Sequence, residues 1–146
     1  MITVTTYRAN EVPPFAAEQM ARLTNSGSDH HRWLTAASNG SGESPMPDDL
    51  VYAVISRDDD WDIHVIGWAS VYLWQGVLAL EGFVKHEERG KRVGSTLCNC
   101  LALSGNIPMS TPVAVFSPAF AAIAKWVGFD RIQEWKRVDD GWVRVG

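Results

Sequence analysis

Residues 77–97 read VLALEGFVKHEERGKRVGSTL, and the fold turns on how this stretch divides. The apolar run VLALEGFV has the length and composition of a strand, and the charged residues after it do not continue one. From there on, Val93, Leu97, Leu101 and Ser104 recur at helical spacing, with Gly105-Asn106 as the stop. Gly90 and Gly94 sit at the junction, which leaves backbone amides unpaired at the positive end of a helix dipole, where anions settle. Arg89, Lys91 and Arg92 add local positive charge to a chain whose formal charge is -4. A glycine-punctuated turn that binds nothing has the same composition, so the loop alone leaves both readings open.

Working outward, LVYAVIS (50–56) and IHVIGWASVYLW (63–74) are two further short apolar strands. RDDDWD and Gln75-Gly76 connect the three strands, and both links are short enough for antiparallel hairpins. Ahead of them, ITVTTYRA (2–9) alternates as a strand, Asn10 is a helix cap, and Pro13-Pro14 opens a helix over FAAEQMARLTNS. A second helix covers HHRWLTAAS (30–38), and SNGSGESPMPDD (38–49) is a loop. Downstream, PVAVFS (112–117) is a buried strand, while Phe120, Ile123 and Val127 mark one face of a helix ending at Gly128. RIQEWKRVDD and GWVRVG then form a hairpin about Asp140-Gly141. This order implies a mixed α/β sheet covered by helices, with one parallel crossover through the helix at 93–104.

The 146 residues suit one domain spanning 1–146, able to bury about 68–70% of its unfolded surface without staples. The net negative charge argues against nucleic acid as a partner, because such binding requires a basic surface. No apolar run approaches the ~20 residues that span a bilayer, and MITVTTYRANEV lacks a signal-peptide pattern, so a cytoplasmic location is expected. Cys98 and Cys100 lie two apart on different helix faces and are expected to be reduced and packed. The tryptophans, Trp33, Trp61, Trp68, Trp74, Trp126, Trp135 and Trp142, are expected in core and edge packing.

Two phosphate motifs do not fit. A Walker loop needs a lysine straight after its second glycine, whereas Ser95-Thr96 follows Gly94; a dinucleotide fingerprint needs three spaced glycines. Taken together, VLALEGFV, KHEERGKRVGSTL, PVAVFS and AFAAIAKWVGF resemble the Gcn5-related N-acetyltransferases. The signature of that family is Gln/Arg-x-x-Gly-x-Gly/Ala at a strand-to-helix junction, with a later helix ending in Gly-Phe. The resemblance runs from Leu50 to Trp135. It implies a mixed, mostly antiparallel sheet of about six to seven strands flanked by helices.

It also implies acetyl-CoA as co-substrate, with its pyrophosphate held by Arg89, Gly90, Lys91, Arg92, Val93, Gly94 and Ser95. By the same resemblance the strand splays open at Val84, whose amide holds the thioester carbonyl and acts as an oxyanion donor. Ser117 stands where the family often has asparagine. Arg92 replaces the first motif glycine, and Ala124 falls where a helical tyrosine often protonates the leaving thiolate.

Acyl transfer to an amine needs a proton acceptor, and Glu81 is the first choice; its other reading is a solvent-facing strand carboxylate. His86, Glu87, Glu88 and the run Asp58 to Asp60 read as solvated charges. His30, His31 and His64 lack metal-ligand spacing and are expected in structural or surface roles, and no metal is expected. Tyr7, Tyr52 and Tyr72 are replacement acids or core residues, Cys98 has no base beside it, and GSG at 40–42 is not a hydrolase elbow.

The expected function is acetyl transfer to a primary amine of a protein or small molecule, with the loop at 38–49 and the segment about His30 and His31 shaping the acceptor side. The rival is a catalytically idle protein of this fold serving as a binding or structural component. Arg92 and Ala124 favour that rival, as does a looser resemblance to small acyltransferase-like proteins of bacteriophages. An exposed tryptophan or the final hairpin could support a homodimer.

Overall fold

The computed structural model describes residues 1–40, 46–59 and 61–146. The middle of the loop at 38–49, most of the GSG at 40–42, and Asp60 lie outside the described residues. Seven strands form one sheet in chain order: β1 (Ile2–Arg8), β2 (Val51–Asp59), β3 (Asp62–Trp74), β4 (Val77–Val84), β5 (Val113–Val115), β6 (Ile132–Val138) and β7 (Gly141–Arg144). Helices α1 (Pro14–Leu23) and α2 (Asp29–Ser38) precede β2, α3 (Val93–Ser104) joins β4 to β5, and α4 (Pro118–Val127) joins β5 to β6. This is the mixed, mostly antiparallel sheet with flanking helices that the sequence leads one to expect.

Several details differ from expectation. Both β4–β5 and β5–β6 pair in parallel, so there are two crossovers: α4, like α3, carries the chain back across the sheet before the next strand begins. Asn10 lies in a 3-10 turn and does not cap a helix; α1 starts at Pro14, where a missing N–H costs nothing. The last hairpin turns at Asp139-Asp140, with Asp139 at φ 53°, one residue earlier than Asp140-Gly141. Asp58 and Asp59 belong to β2, and Asp58 accepts from Thr3 Oγ1 at 3.1 Å.

Both faces of the sheet are covered. Leu97, Leu101, Phe120 and Ala124 of α3 and α4 pack on Leu80, Val113 and Val115; Met20, Trp33 and Leu34 of α1 and α2 pack on Tyr52, Trp68 and Ala79. Central β3 is therefore buried without interruption from Val65 to Tyr72, which is why it reads as a continuous apolar run. A bulge places Ile66 between the pairs Ile55↔Gly67 and Ser56↔Val65. The Gln19 side chain bridges that irregularity, accepting from Val65 N at 2.7 Å and donating to Ile63 O at 2.8 Å.

The feature that positions the site is the parting of β4 from β5. They pair only at Leu78↔Val113, Ala79↔Ala114 and Leu80↔Val115. Beyond Leu80, β4 continues along β3 to Val84, while the other chain turns away at Phe116 into α4. Ser117 caps that helix, accepting from Phe120 N at 3.1 Å, and this directs the Phe120 ring at Gly82. A Cβ on residue 82 would lie 2.8 Å from Phe120 Cε2 and 2.6 Å from the Trp68 carbonyl oxygen. Only glycine lets ring and strand approach this closely.

Gly82→Ala should therefore cost about 1–3 kcal/mol, because the Trp68 carbonyl is backbone and cannot swing aside. Urea unfolding measures this, and a variant as stable as the parent would show that the contact at Gly82 is not tight.

Candidate active site

The gap between β4 and β5 opens into a cleft of about 660 Å³, bordered by α2, the strand ends and the β6–β7 hairpin. Backbone polarity inside it follows from the pleat. Lys85 N donates to Ile66 O at 2.8 Å, in the register that pairs Gly67 with Val84, so odd-numbered residues of β4 bond toward β3. Alternation turns the amides of Gly82 and Val84 the other way, to the side β5 has left. The Val84 carbonyl faces that side too and accepts from Arg89 Nε at 3.2 Å, leaving the Val84 N–H directed at the gap.

Glu81 enters the cleft from the opposite, α2, face of the strand. Its carboxylate is 21% exposed and lies 2.5 Å from His30 Nε2. His30 is held in the second position of α2, which Ser28 caps by accepting from His31 N. Rings of Trp33, Tyr52, Trp68 and Tyr72 surround the imidazole, with centroids 4.9–5.9 Å away. On the far side, His30 Nδ1 is 2.8 Å from the Tyr52 hydroxyl. With Glu81 ionised and the imidazole neutral, Nε2–H donates to the carboxylate and Nδ1 accepts from Tyr52, so every member has a partner.

His30 was expected in a structural or surface role; it is buried and forms the support of Glu81. Register explains the assembly, since Tyr52 pairs with Ser70 and Ser70 with Glu81, a polar row across three strands onto which α2 sets His30. Glu81 is thus not a solvent-facing strand carboxylate. Burial pushes the Tyr52 phenol well above its usual range, and the nearby Glu81 charge pushes it further. Tyr72, which lines the cleft, is likewise raised by burial and then by Glu81, Asp29 and Asp49.

At the exit of β4, the amides of Val93, Gly94 and Ser95 precede the first intrahelical bond, Thr96 N to Arg92 O, and have no helical acceptor. Gly90 has φ 82°, and a Cβ there would meet nothing within 4 Å, so the backbone is open to approach. Arg92 caps the helix with φ 62° and ψ 25°, a left-handed conformation costing a non-glycine residue about 1–2 kcal/mol. Its guanidinium stacks over the Trp126 ring at 4.7 Å, and that contact recovers roughly 0.5–1 kcal/mol. Lys91 Nζ lies 3.4 Å from Glu88 Oε2.

A Cβ on Gly94 would stand 2.6 Å from Ile123 Cδ1, the far end of a flexible side chain on α4. Ser117 is exposed at the cleft rim, where its oxygen serves the α4 cap. Glu88 is ion-paired, with Arg57 Nη2 3.0 and 3.2 Å from its two oxygens, while His86 and Glu87 are exposed as expected. Burial pushes the Cys98 thiol up to about 12, which removes it as a nucleophile at neutral pH. Ala124 is fully buried against the sheet.

No protein-family model and no curated protein matches the chain. Among solved structures it is similar to the glucosamine-6-phosphate N-acetyltransferase from Arabidopsis thaliana, at 15% identity over 92% of this chain and 81% of that one, with a TM-score of 0.39.

The raised phenols carry a stability signature. Unfolded tyrosines ionise near about 10, whereas Tyr52 and Tyr72 stay neutral in the fold, so their contribution is complete below that pH and is lost as pH climbs toward the native values. Urea midpoints taken between about pH 9 and 11 should fall, and fall less steeply in Tyr52→Phe. Equal slopes in the two proteins would contradict a phenol held neutral by the fold.

Proposed function

We propose that the chain is an acyl-CoA-dependent N-acyltransferase that moves an acetyl group from acetyl-CoA to a primary amine. The observation that supports this best is the parting of β4 and β5. It lines up the Val84 amide, the Glu81 carboxylate and the free amides of α3 along one strand and its exit.

The residues present suit the co-substrate. Three unpaired amides at a helix start, Gly90 in open surroundings, and Arg89, Lys91 and Arg92 beside them suit a pyrophosphate. The thioester supplies an activated acyl carbon, on which the amine nitrogen forms a C–N bond as the C–S bond breaks, giving an amide and a free thiol.

This chain's residues do the rest. Val84 N–H donates to the carbonyl oxygen as negative charge grows there. Glu81 accepts a proton from the substrate ammonium so that the neutral amine can attack, and His30 and Tyr52 hold its carboxylate in place. Ala124 has no proton to give, and Tyr72 is the phenol that lines the cleft. Because its pKa is raised, Tyr72 stays protonated and can donate a hydrogen bond to sulfur, but the proton that neutralises the thiolate comes from water. The idle-scaffold reading, with the chain as a binding or particle component, draws on Ala124 and on Arg92 in place of a motif glycine.

Glu81→Gln should lower kcat by about 10²–10⁴-fold, with the Kd for acetyl-CoA unchanged within about twofold. Unaltered turnover would remove Glu81 from the base role. Ser95→Glu, half-exposed in the first turn of α3, should weaken acetyl-CoA binding about tenfold or more while leaving the helix as stable as before, because a carboxylate there suits the dipole but repels phosphate. Calorimetry reads the affinity and thermal melting the stability. Failure of the parent protein to bind millimolar acetyl-CoA would overturn the proposal, and binding without product from any amine would favour the idle scaffold.

A further inference from the structure

The walls of the cleft point to the class of amine. On the side of α2 and β3 stand Trp33 and Tyr72, edge to face with centroids 6.1 Å apart. Beside them, the rings of Trp74, Phe116 and Trp142 form an aromatic cluster, with Trp74–Phe116 at 5.0 Å and Phe116–Trp142 at 4.8 Å. These residues come from α2, β3, β6–β7 and the turn after β5, so several separate stretches of chain supply aromatic groups to one concavity.

Charge in the cleft is lopsided. Among the described residues two carboxylates, Asp29 and Glu81, line it against one guanidinium, that of Arg137; Asp29 is paired with Arg32 at 3.2 Å and Glu81 with His30. The Arg137 guanidinium already lies over the Trp142 ring, 5.4 Å from its centroid. A cation carried on a flat apolar body is complementary to such a site: rings cover rings, and the ammonium gains both the carboxylates and the negative ring faces. A phosphorylated sugar would bring two negative charges to a site whose one described lining cation is already stacked, and a bare alkyl chain would leave much of the aromatic wall unmatched.

We infer that the acceptor is an arylalkylamine, a primary amine on an aromatic skeleton, with its ring against this aromatic lining and its nitrogen at Glu81. The inference rests on the acyltransferase reading for the reaction but not for the binding.

Tryptamine is the probe. Calorimetry without acetyl-CoA tests binding, and thiol release with acetyl-CoA tests turnover against glucosamine 6-phosphate and a lysine-containing peptide. Tryptamine is expected to bind and to be acetylated with the highest kcat/KM, and Trp142→Ala should raise its KM about tenfold while acetyl-CoA affinity stays unchanged. Phe116→Leu, which removes the ring but keeps an apolar side chain, should give a smaller rise in KM and guards against simple loss of fold. Turnover of the peptide or the sugar phosphate with none of tryptamine would overturn the inference while leaving the acyltransferase reading intact. Tryptamine binding lost in Trp142→Ala, with no acetyl-CoA binding in the parent, would uphold the ligand class and sink the acyltransferase reading. Absence of tryptamine binding under all conditions would overturn the inference.

Discussion

The contact of the Phe120 ring with Gly82 governs the architecture of this protein. Strands β4 and β5 pair at three positions and then part, because α4 starts at Ser117 and drives an aromatic ring against a residue with no side chain. Closing the sheet there would bury the amides of Gly82 and Val84 in a ladder; opening it exposes them to a ligand. Every other element of the candidate site takes its place from that parting. Glu81 stands beside the opened backbone on one face, and α3 begins where the opened strand runs out.

Two strained or costly arrangements converge on the same region. His30 is buried with both ring nitrogens engaged, and α2 is oriented so that its second residue reaches the polar row Tyr52–Ser70–Glu81. A buried polar chain of this kind stabilises little compared with well-packed apolar residues, but it holds a carboxylate in one orientation. Arg92 adopts a left-handed conformation whose cost exceeds what stacking on Trp126 returns. Local strain of this sort concentrates where a chain must present its backbone to something else.

Much of this was legible in the residues. The two-residue turn Gln75-Gly76, with φ 48° and 82°, sets the β3–β4 register, so that Glu81 falls opposite Ser70 by counting alone. The helical spacing from Val93 to Ser104 marks α3 to the residue. His30 was not legible, because its partners lie 22 and 51 positions away and the bulge at Ile66 offsets the β2–β3 register by one residue. The second crossover escaped notice because β5 has only three paired residues, too few to show which way the chain runs.

The central claim, that the opened strand and the start of α3 form one binding surface, is tested most directly by amide spectra of ¹⁵N-labelled protein during titration with acetyl-CoA. The account expects the largest shifts at Val84, Gly90, Val93, Gly94 and Ser95, with Asp139 and the β6–β7 turn unmoved. Spectra that stay unchanged at millimolar ligand, or change chiefly outside those residues, would contradict it.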